Sequence, residues 1–394
     1  MPDQYDPSAA APDSPRRRGN LMRTLSLSFA AVLIGYLVAS RGATWLKNRS
    51  GAVRDFEVMN TYARVTVPDA GNASESPDEL AQLAERAVRV VDTLMSPFGT
   101  DSDVRRLNDA PAGVWVEVDL ATWTVALEAL RWHRLSGGAF DPTIGPIKRL
   151  FVFDQSEIDA WPAVETLAEA KSRVGADKLL FEREGMRLAW EKDGMRLDLG
   201  AIAKGYSADL AAQALLRRGV ANALVDVGGE LRVLGVKPGS PATPWKMGIK
   251  DPRNPNAILE TIELTPMFAA ARTDLGVATS GDYERFSIHN GKRYEHIIDP
   301  RSGEPLSGGI ASATVIFPGS CLAADALATT LCVLGPDGGR ELLRSQALGL
   351  FSSGVRAILL IPEKDGALRR LEFRVDDKGG FHETESRIAA DRNG

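Results

Sequence analysis

Two periods of hydrophobic and polar residues run through the chain, and they predict both strands and helices. Residues alternate at every second position over 56–67, which predicts a strand that opens the folded part. Apolar residues recur at helical spacing over 77–94, and Asp119 is placed to cap a helix that runs to about Leu135. The same patterns predict further strands at 195–199, 222–227, 230–235, 245–250, 310–317, 356–361 and 368–375, and helices at 202–218 and near 339–347.

An Asn-Gly pair at Asn290 and Gly291 separates two alternating runs, 283–288 and 293–298. This arrangement predicts a β-hairpin closed by a type I′ turn. His296 lies near the end of the return strand. A single histidine in a strand usually has a structural role, but this residue is one of only four histidines and is a candidate for proton transfer near neutral pH.

A helix is predicted over 320–334, with Ser320 as its N-cap and Gly335 at its end. Asp325 and Thr329 stand four residues apart on it, so they are neighbours on one face, about 5–6 Å apart at Cβ. One carboxylate and one hydroxyl form an oxygen-only half-site of the kind that Mg²⁺ prefers. A solvated helix face has the same pattern, so the spacing alone leaves both interpretations open.

Two glycine-containing stretches are candidates for binding. The segment 136–146, with sequence SGGAFDPTIGP, is typical of a shaped binding loop and equally of a plain connector. The segment 198–205 joins a predicted strand to a predicted helix, where free backbone N–H groups attract anions. Lys204, one turn into that helix, could add a charged contact.

The N-terminus has the features of a targeting segment. Residues 1–20 are polar and basic, which predicts disorder, and a short apolar run follows within 21–40. Its length suits a signal peptide or a signal anchor. We therefore expect the folded domain, over 51–376, to lie outside the cytoplasmic membrane, on its periplasmic side. A polar and loose tail is expected over 377–394.

Composition excludes some classes of protein. The chain has 394 residues with a net charge of −5, and no basic stripe follows the N-terminus, which argues against a nucleic-acid-binding protein. Cys321 and Cys332 lie on one predicted helix, about 16 Å apart, which is too far for a disulfide. We interpret them as small core residues, and zinc or redox chemistry has no supporting motif.

Seven segments, taken together and in order, resemble the ApbE family of FAD:protein FMN transferases. They are SGGAFDPTIGP (136–146), LDLGAIAKGYSAD (197–209), ALVDVGGELRVLG (223–235), WKMGIKDPRNP (245–255), ATSGDYERF (278–286), HIIDPRSGEPL (296–306) and ADALATTLCVLG (324–335).

The resemblance implies an α+β fold, ApbE-like and related to the T-fold, with one catalytic domain of mixed sheets packed by helices. It also implies a site for FAD with Mg²⁺. By position, the metal ligands fall on Asp325, Thr329 and the backbone carbonyl of Ala201. His296 matches the reactive-centre histidine.

Flavin nucleotide contacts are implied at a larger set of positions. Many family members carry Tyr where this chain has Phe98, so stacking is retained and a hydroxyl is lost. Backbone N–H groups near Ser280 and Gly281 are candidates for holding phosphate oxygens. The full set is Met59, Phe98, Ala139, Phe140, Asp141, Asp198, Lys204, Ser280, Gly281 and Ile310.

The implied reaction moves FMN from FAD to a Thr or Ser hydroxyl of an acceptor protein, such as a subunit of a membrane redox complex, and releases AMP. A hydrolase that splits FAD into FMN and AMP would use the same site with water as the nucleophile. A non-enzymatic flavin-binding protein is the third hypothesis. It would have no need for Asp325, Thr329 and His296 together.

Overall fold

The structure, a computed structural model, describes residues 51–154, 156–158, 160–239, 241–264, 274–345, 354–376 and 378–389. The predicted leader at 1–20 and the apolar segment at 21–40 lie outside the described residues. Within the described ranges, no helix is both long enough and apolar enough to span a membrane.

The described strands and helices follow each other along the chain. The strands are β1 (Ala52–Val58), β2 (Thr61–Val67), β3 (Val116–Glu117), β4 (Leu179–Glu182), β5 (Arg187–Trp190), β6 (Ala223–Val227), β7 (Glu230–Leu234), β8 (Trp245–Asp251), β9 (Asn254–Leu264), β10 (Asp274–Gly281), β11 (Phe286–His289), β12 (Lys292–Glu295), β13 (Ile298–Asp299), β14 (Glu304–Pro305), β15 (Ser312–Pro318), β16 (Val355–Pro362), β17 (Leu368–Val375) and β18 (Phe381–Ile388). The helices are α1 (Pro77–Met95), α2 (Asp103–Asp109), α3 (Leu120–Leu135), α4 (Gly145–Lys148), α5 (Val164–Ser172), α6 (Ala203–Leu216) and α7 (Cys321–Arg344).

Nine of the described strands form one sheet, in the order β1-β2-β6-β7-β10-β15-β16-β17-β18, and every pairing in it is antiparallel. Strand β15 is buried along its whole length. Ala313, Val315 and Phe317 belong to the core on one face, and Ile316 belongs to the core on the other. Because successive side chains of a strand point to opposite faces, the sheet is covered on both sides.

Helices cover one face of the sheet and a hairpin covers the other. Helices α1, α6 and α7 pack against its strands and against each other. On the opposite face, Trp245 and Ile249 of β8 pack with Ile316 and Leu360. Helices segregated to one side of an antiparallel sheet are an α+β arrangement, so the predicted fold class is confirmed.

Helix α7 carries the predicted metal ligands and begins where the sequence predicts. The hydroxyl of Ser320 accepts a hydrogen bond from the N–H of Ala323 at 3.1 Å, which caps the helix. Gly335 leaves the helical range, with φ of 69°, and Pro336 follows it. A second helical part follows Pro336 and ends at Arg344, so the helix end predicted at Gly335 is confirmed and α7 has two parts separated there.

The strand predicted over 56–67 is a hairpin formed by β1 and β2. Met59 and Asn60 make its turn, with φ of 52° and 56°. Two successive positive φ values define a type I′ turn, and without a glycine the sequence pattern did not indicate it. The hairpin predicted at Asn290 and Gly291 is confirmed, with φ of 51° and 69°.

No strand forms over 195–199, where one was predicted, because β5 ends at Trp190 and α6 begins at Ala203. The N–H of Leu197 donates to Oδ1 of Asn108 at 2.6 Å, and the Leu197 carbonyl accepts from Nδ2 of the same side chain at 2.9 Å. An amide side chain thus takes the place of a neighbouring strand. The apolar side chains of the segment are buried, which explains why its pattern is that of a buried strand.

The prediction of a loose tail over 377–394 is wrong for Phe381–Ile388, because these residues form the edge strand β18. Glu383 pairs with Arg340 of α7, with 2.8 Å between Oε1 and Nη2. The ring of Phe381 lies 5.7 Å from that of Phe373. Charged residues are typical of an edge strand, and they gave this strand the composition of a tail.

Removing residues 377–394 will lower the thermal midpoint by about 3 °C, because the truncation exposes the edge of β17 and deletes contacts that we put at about 2 kcal/mol. Thermal unfolding followed by circular dichroism measures the shift. A truncation that removes only residues 390–394 keeps all of β18 and is the control. Equal midpoints for the two truncated proteins would show that β18 contributes nothing to stability.

Candidate functional site

Asp325 stands where the first turns of α6 and α7 meet. The side chain is buried, and its Oδ2 accepts a hydrogen bond from the N–H of Gly205 at 3.0 Å. A Cβ at position 205 would lie 2.4 Å from the carbonyl oxygen of Cys321 and 2.9 Å from the Cβ of Asp325. The two helices approach this closely because residue 205 has no side chain.

Thr329 and Ser280 contact each other one turn along α7 from Asp325. Thr329 follows one turn later on α7, and its Oγ1 is 3.1 Å from Oγ of Ser280 at the end of β10. The structure therefore brings Ser280, a candidate phosphate contact, to the half-site that the sequence predicted at Asp325 and Thr329. Gly281 ends the same strand and is buried. Ala201, whose carbonyl was predicted as a ligand, lies two residues before α6 and is partly exposed.

Two carboxyl groups share one lysine at the start of α6. Lys204 forms an ion pair with Glu230, which is 2% exposed. Burial alone would lower the pKa of Lys204, but the charges of Glu230 and Asp325 outweigh burial and raise it. Burial raises the pKa of Glu230 to about 8, with the charge of Asp325 adding to the effect and Lys204 opposing it. This part of the site therefore has more acidic than basic groups.

Asp198 lies at the other side of the α6 entrance. Its carboxylate is 2.7 Å from Nζ of Lys148 and accepts the N–H of Gly200 at 2.9 Å. Its own N–H donates to the carbonyl of Pro142 at 2.7 Å, which joins it to the 136–146 loop. Burial acts to raise the pKa of Asp198. The positive charge of Lys148 and the N–H of Gly200 lower this pKa by a larger amount, so it is below its usual value. The residue is therefore a fixed carboxylate.

His296 follows the last residue of β12 and is partly buried. Its Nδ1 lies 3.2 Å from the carbonyl oxygen of Arg285. Because a carbonyl only accepts, Nδ1 carries the proton of the neutral ring and Nε2 keeps its lone pair. Burial, reinforced by the positive charge of Lys148, lowers the pKa of His296 to about 4. The imidazole is therefore a neutral acceptor of protons at physiological pH.

The carboxylate of Asp141 fixes the conformation of the loop at 136–146. Oδ1 of the buried Asp141 accepts the N–H of Thr143 at 2.7 Å and its hydroxyl at 2.5 Å. Oδ2 accepts the N–H of Ala176 at 3.2 Å and lies 3.1 Å from Nδ1 of His133. The carboxylate of Asp141 thus shapes the loop, and the contact with a nucleotide remains a prediction.

The remaining predicted contacts differ in exposure. Met59 lines an open depression of about 380 Å³ together with Tyr62 and Asp92. Phe98, on the loop after α1, is 77% exposed, so its ring is accessible for stacking. Ala139, Phe140 and Ile310 are buried, and their contact with a flavin nucleotide remains a prediction.

Within the described residues, no group of three or more His, Cys, Asp or Glu side chains is placed to hold a metal ion. The predicted set has a different composition, with one carboxylate, one hydroxyl and one backbone carbonyl. Magnesium therefore remains a prediction. Cys321 and Cys332 are free and buried, as expected of core residues.

The charged partners of the site were not predicted from the sequence. Lys148, Glu230, Asp209 and Arg232 were not singled out, although three of them lie in the quoted segments. A glutamate and an arginine in β7, which is otherwise apolar and largely buried, were the available signal. Such residues are rarely buried unless they are paired.

Glu295 precedes His296 and is buried without a partner. It is 2% exposed, and neither carboxyl oxygen has a hydrogen-bond partner among the described residues. Burial raises the pKa of Glu295 to about 8, with the charge of Asp282 adding to the effect and that of Arg293 opposing it. The side chain is therefore protonated at neutral pH.

The family model described as "ApbE family" matches residues 59–351. The chain is 34% identical over 257 residues to the FAD:protein FMN transferase of Vibrio cholerae, covering 65% of this chain and 73% of the relative. It is 31% identical over 299 residues to the Haemophilus influenzae protein of the same name, covering 75% and 84%. The solved structure named Flavin Transferase ApbE from Vibrio cholerae superposes with a TM-score of 0.68 at 28% identity, covering 85% of this chain and 97% of that one. This likeness confirms the predicted ApbE-like fold.

Replacing Glu295 with Gln will make the protein increasingly more stable than wild type as the pH rises from 5 to 8. The folded state holds a proton on Glu295 up to about pH 8, whereas the unfolded chain loses it near pH 4.5. The free energy of unfolding of wild type therefore falls as the pH rises between these two values, and the Gln variant does not have this loss. The gap should widen by up to about 1.4 kcal/mol per pH unit.

Denaturant unfolding at pH 5, 6, 7 and 8 measures this gap. Glu304→Gln, at an exposed glutamate of β14, is the matched control and should follow the wild-type curve. A stability difference between E295Q and wild type that does not change with pH would contradict the assignment.

Proposed function

The chain belongs to the ApbE family, and from this membership we propose that it transfers FMN from FAD to a Thr or Ser hydroxyl of an acceptor protein and releases AMP. The observation that carries the proposal is the junction of α6 and α7. There, the buried Asp325 stands one turn from Thr329, whose hydroxyl oxygen lies 3.1 Å from that of Ser280. The relatives that carry the name FAD:protein FMN transferase support the same activity.

Mg²⁺ fits the residues at the junction. Asp325, Thr329 and the carbonyl of Ala201 are hard oxygen donors of the kind that the ion prefers. Burial raises the pKa of Asp325, with Lys204 opposing the effect, so the charged carboxylate lacks compensation that a cation would provide. When bound there, the ion would neutralise charge on the pyrophosphate of FAD and on the departing AMP.

His296 is the proposed base. The acceptor hydroxyl attacks the phosphorus of the FMN half of FAD, and its proton passes to the lone pair on Nε2 of His296. A bond forms between the hydroxyl oxygen and phosphorus, and the bond from phosphorus to the oxygen of the AMP phosphate breaks. The Arg285 carbonyl keeps the ring in the tautomer that this transfer needs, because it accepts from Nδ1 at 3.2 Å.

The flavin nucleotide is proposed to lie across the entrance of α6. Lys204 supplies positive charge near the phosphates, and Asp198, fixed by Lys148, supplies a hydrogen-bond acceptor. Backbone N–H groups at Ser280 and Gly281 are further candidates for phosphate oxygens. Met59, Phe98, Ala139, Phe140, Asp141 and Ile310 complete the proposed contacts.

The acceptor is proposed to be a subunit of a membrane redox complex, and the enzyme is proposed to work on the periplasmic face of the cytoplasmic membrane. Support comes from the sequence alone, through the basic leader and the apolar segment within 21–40. Whether that segment is cleaved or anchors the chain decides how closely the enzyme is held to its acceptor.

Replacing Asp325 or His296 with Ala will each lower transfer at least about 100-fold, because one change removes the metal carboxylate and the other removes the base. The measurement is mass spectrometry of an acceptor fragment, made without flavin, after incubation with the full chain, FAD and Mg²⁺. A gain of one FMN phosphoester is expected with wild type and should be lost with a chelator.

Two variants of the same residue types serve as controls. Asp337→Ala lies on α7 with its side chain 95% exposed, and His382→Ala lies on β18 with its side chain 60% exposed. Both should retain transfer. If free FMN and AMP accumulate and the acceptor mass stays unchanged, the protein is a hydrolase. Intact FAD would leave flavin binding as the function.

The rate constant kcat/KM for FAD will stay level down to about pH 5, because His296 in the free enzyme has a pKa of about 4 and loses its basic form only below it. Lys148→Met should move this acid limb upward, since the positive charge that lowers the His296 pKa is removed. Arg149→Met removes a charge from the next residue and is the control. An acid limb near pH 6.5 in wild type would contradict this role for His296.

A further inference from the structure

Helices α6 and α7 are joined by hydrogen bonds at two points, which are one helical turn apart on each helix. At the first point, the N–H of Gly205 donates to Asp325. At the second, Asp209 accepts from the backbone of Cys321 at 2.8 Å. Residues 205 and 209 are four apart on α6, and residues 321 and 325 are four apart on α7. One turn of each helix is therefore fixed against one turn of the other.

Asp209 acts as a second cap for α7, supplied by a different helix. Its Oδ2 accepts the N–H of Leu322 at 3.0 Å and the hydroxyl of Ser320 at 3.1 Å, in addition to the contact with Cys321. The first N–H groups of a helix have no partner within the helix, and a carboxylate at that end is stabilised by the helix dipole. The residue is 7% exposed, so water contributes little to its solvation.

Arg232 compensates the charge of Asp209 and ties it to the sheet. The Nε of Arg232 lies 2.7 Å from Oδ1 of Asp209, and Nη2 donates to Asp274 at 2.6 Å and to the carbonyl of Gly319 at 2.8 Å. Arg232 lies on β7 and is 4% exposed, and Asp274 begins β10. The start of α7 is thus held by the same two strands that carry Glu230 and Ser280.

We infer that Asp209, held by Arg232, is a positioning residue that sets where Asp325 stands and therefore how tightly the proposed site binds a divalent cation. The inference rests on the metal site of the proposed function. Among the described residues, Asp209 has no hydrogen bond or ion pair with Asp325 or with another predicted ligand, although its charge is one of the weaker causes that raise the pKa of Asp325. Its main effect is expected to pass through the turn of α7 that separates Cys321 from Asp325. Loss of the second joint would leave Asp325 fixed to α6 only through the N–H of Gly205.

The test is the affinity of the full chain for Mn²⁺ without FAD, measured by the electron paramagnetic resonance signal of free Mn²⁺. Mn²⁺ takes the same oxygen ligands as Mg²⁺. Binding that is lost in Asp325→Ala defines the site. Asp209→Asn keeps the shape of the side chain but removes its charge, and we expect it to weaken that binding by about 10–100-fold at a temperature where the protein is folded.

Ser76→Ala is the matched control. Ser76 caps α1 and accepts the N–H of Glu79, so its loss removes a helix cap away from the α6–α7 junction. It should lower the thermal midpoint and leave Mn²⁺ affinity unchanged. Equal Mn²⁺ affinity for D209N and wild type would overturn the inference while keeping the metal site. Absence of Mn²⁺ binding in wild type would overturn the inference and the metal site together.

Asp274→Asn covers the case in which D209N does not fold. It removes the negative charge that pairs with Nη2 of Arg232, while the contacts of Arg232 with Asp209 and with the Gly319 carbonyl and the caps of α7 stay in place. We expect a smaller loss of Mn²⁺ affinity than in D209N. If Asp274→Asn folds and binds Mn²⁺ as wild type does, the inference that the sheet positions Asp325 through Arg232 and Asp209 is refuted.

Discussion

The close approach of α6 and α7 is the constraint on which the rest of the site depends. The carbonyl of Cys321 occupies the space that a side chain at Gly205 would need. This contact places the carboxyl group of Asp325 in the interior, where an uncompensated charge is costly. Lys204 and a backbone N–H offset part of that cost. A buried carboxyl with incomplete compensation is a group whose charge a bound cation would stabilise.

The two sides of the α6 entrance differ in their electrostatics. On one side, Asp325 and Glu230 share Lys204, and acidic groups outnumber basic ones. On the other side, Lys148 neutralises Asp198 and disfavours a proton on His296. A cation and a neutral base would therefore each find a suitable environment within one site. The two electrostatic environments meet at the first turn of α6. They differ because different strands and loops supply their charged residues.

Local features of the site were predictable from the sequence, and long-range partners were not. The four-residue spacing of Asp325 and Thr329, the Ser320 cap and the Asn-Gly turn are fixed by neighbouring residues, and the structure has them. The contact between Asp209 and Cys321 joins positions 112 residues apart, and no periodicity encodes it. The edge strand β18 was missed because an exposed strand with charged residues has the composition of a loop. The 195–199 segment was misassigned because its partner is a side chain.

The break in α7 at Gly335 separates two parts of the helix that have different partners. The part before it is fixed by α6 and the sheet. The part after it packs into the same core through Leu342 and Leu343, and it also pairs with β18 through Arg340 and Glu383. A continuous helix would transmit any shift of its far end along its axis to Asp325. Because the axis is interrupted at Gly335, a shift of the C-terminal part is not transmitted rigidly to the junction that holds Asp325.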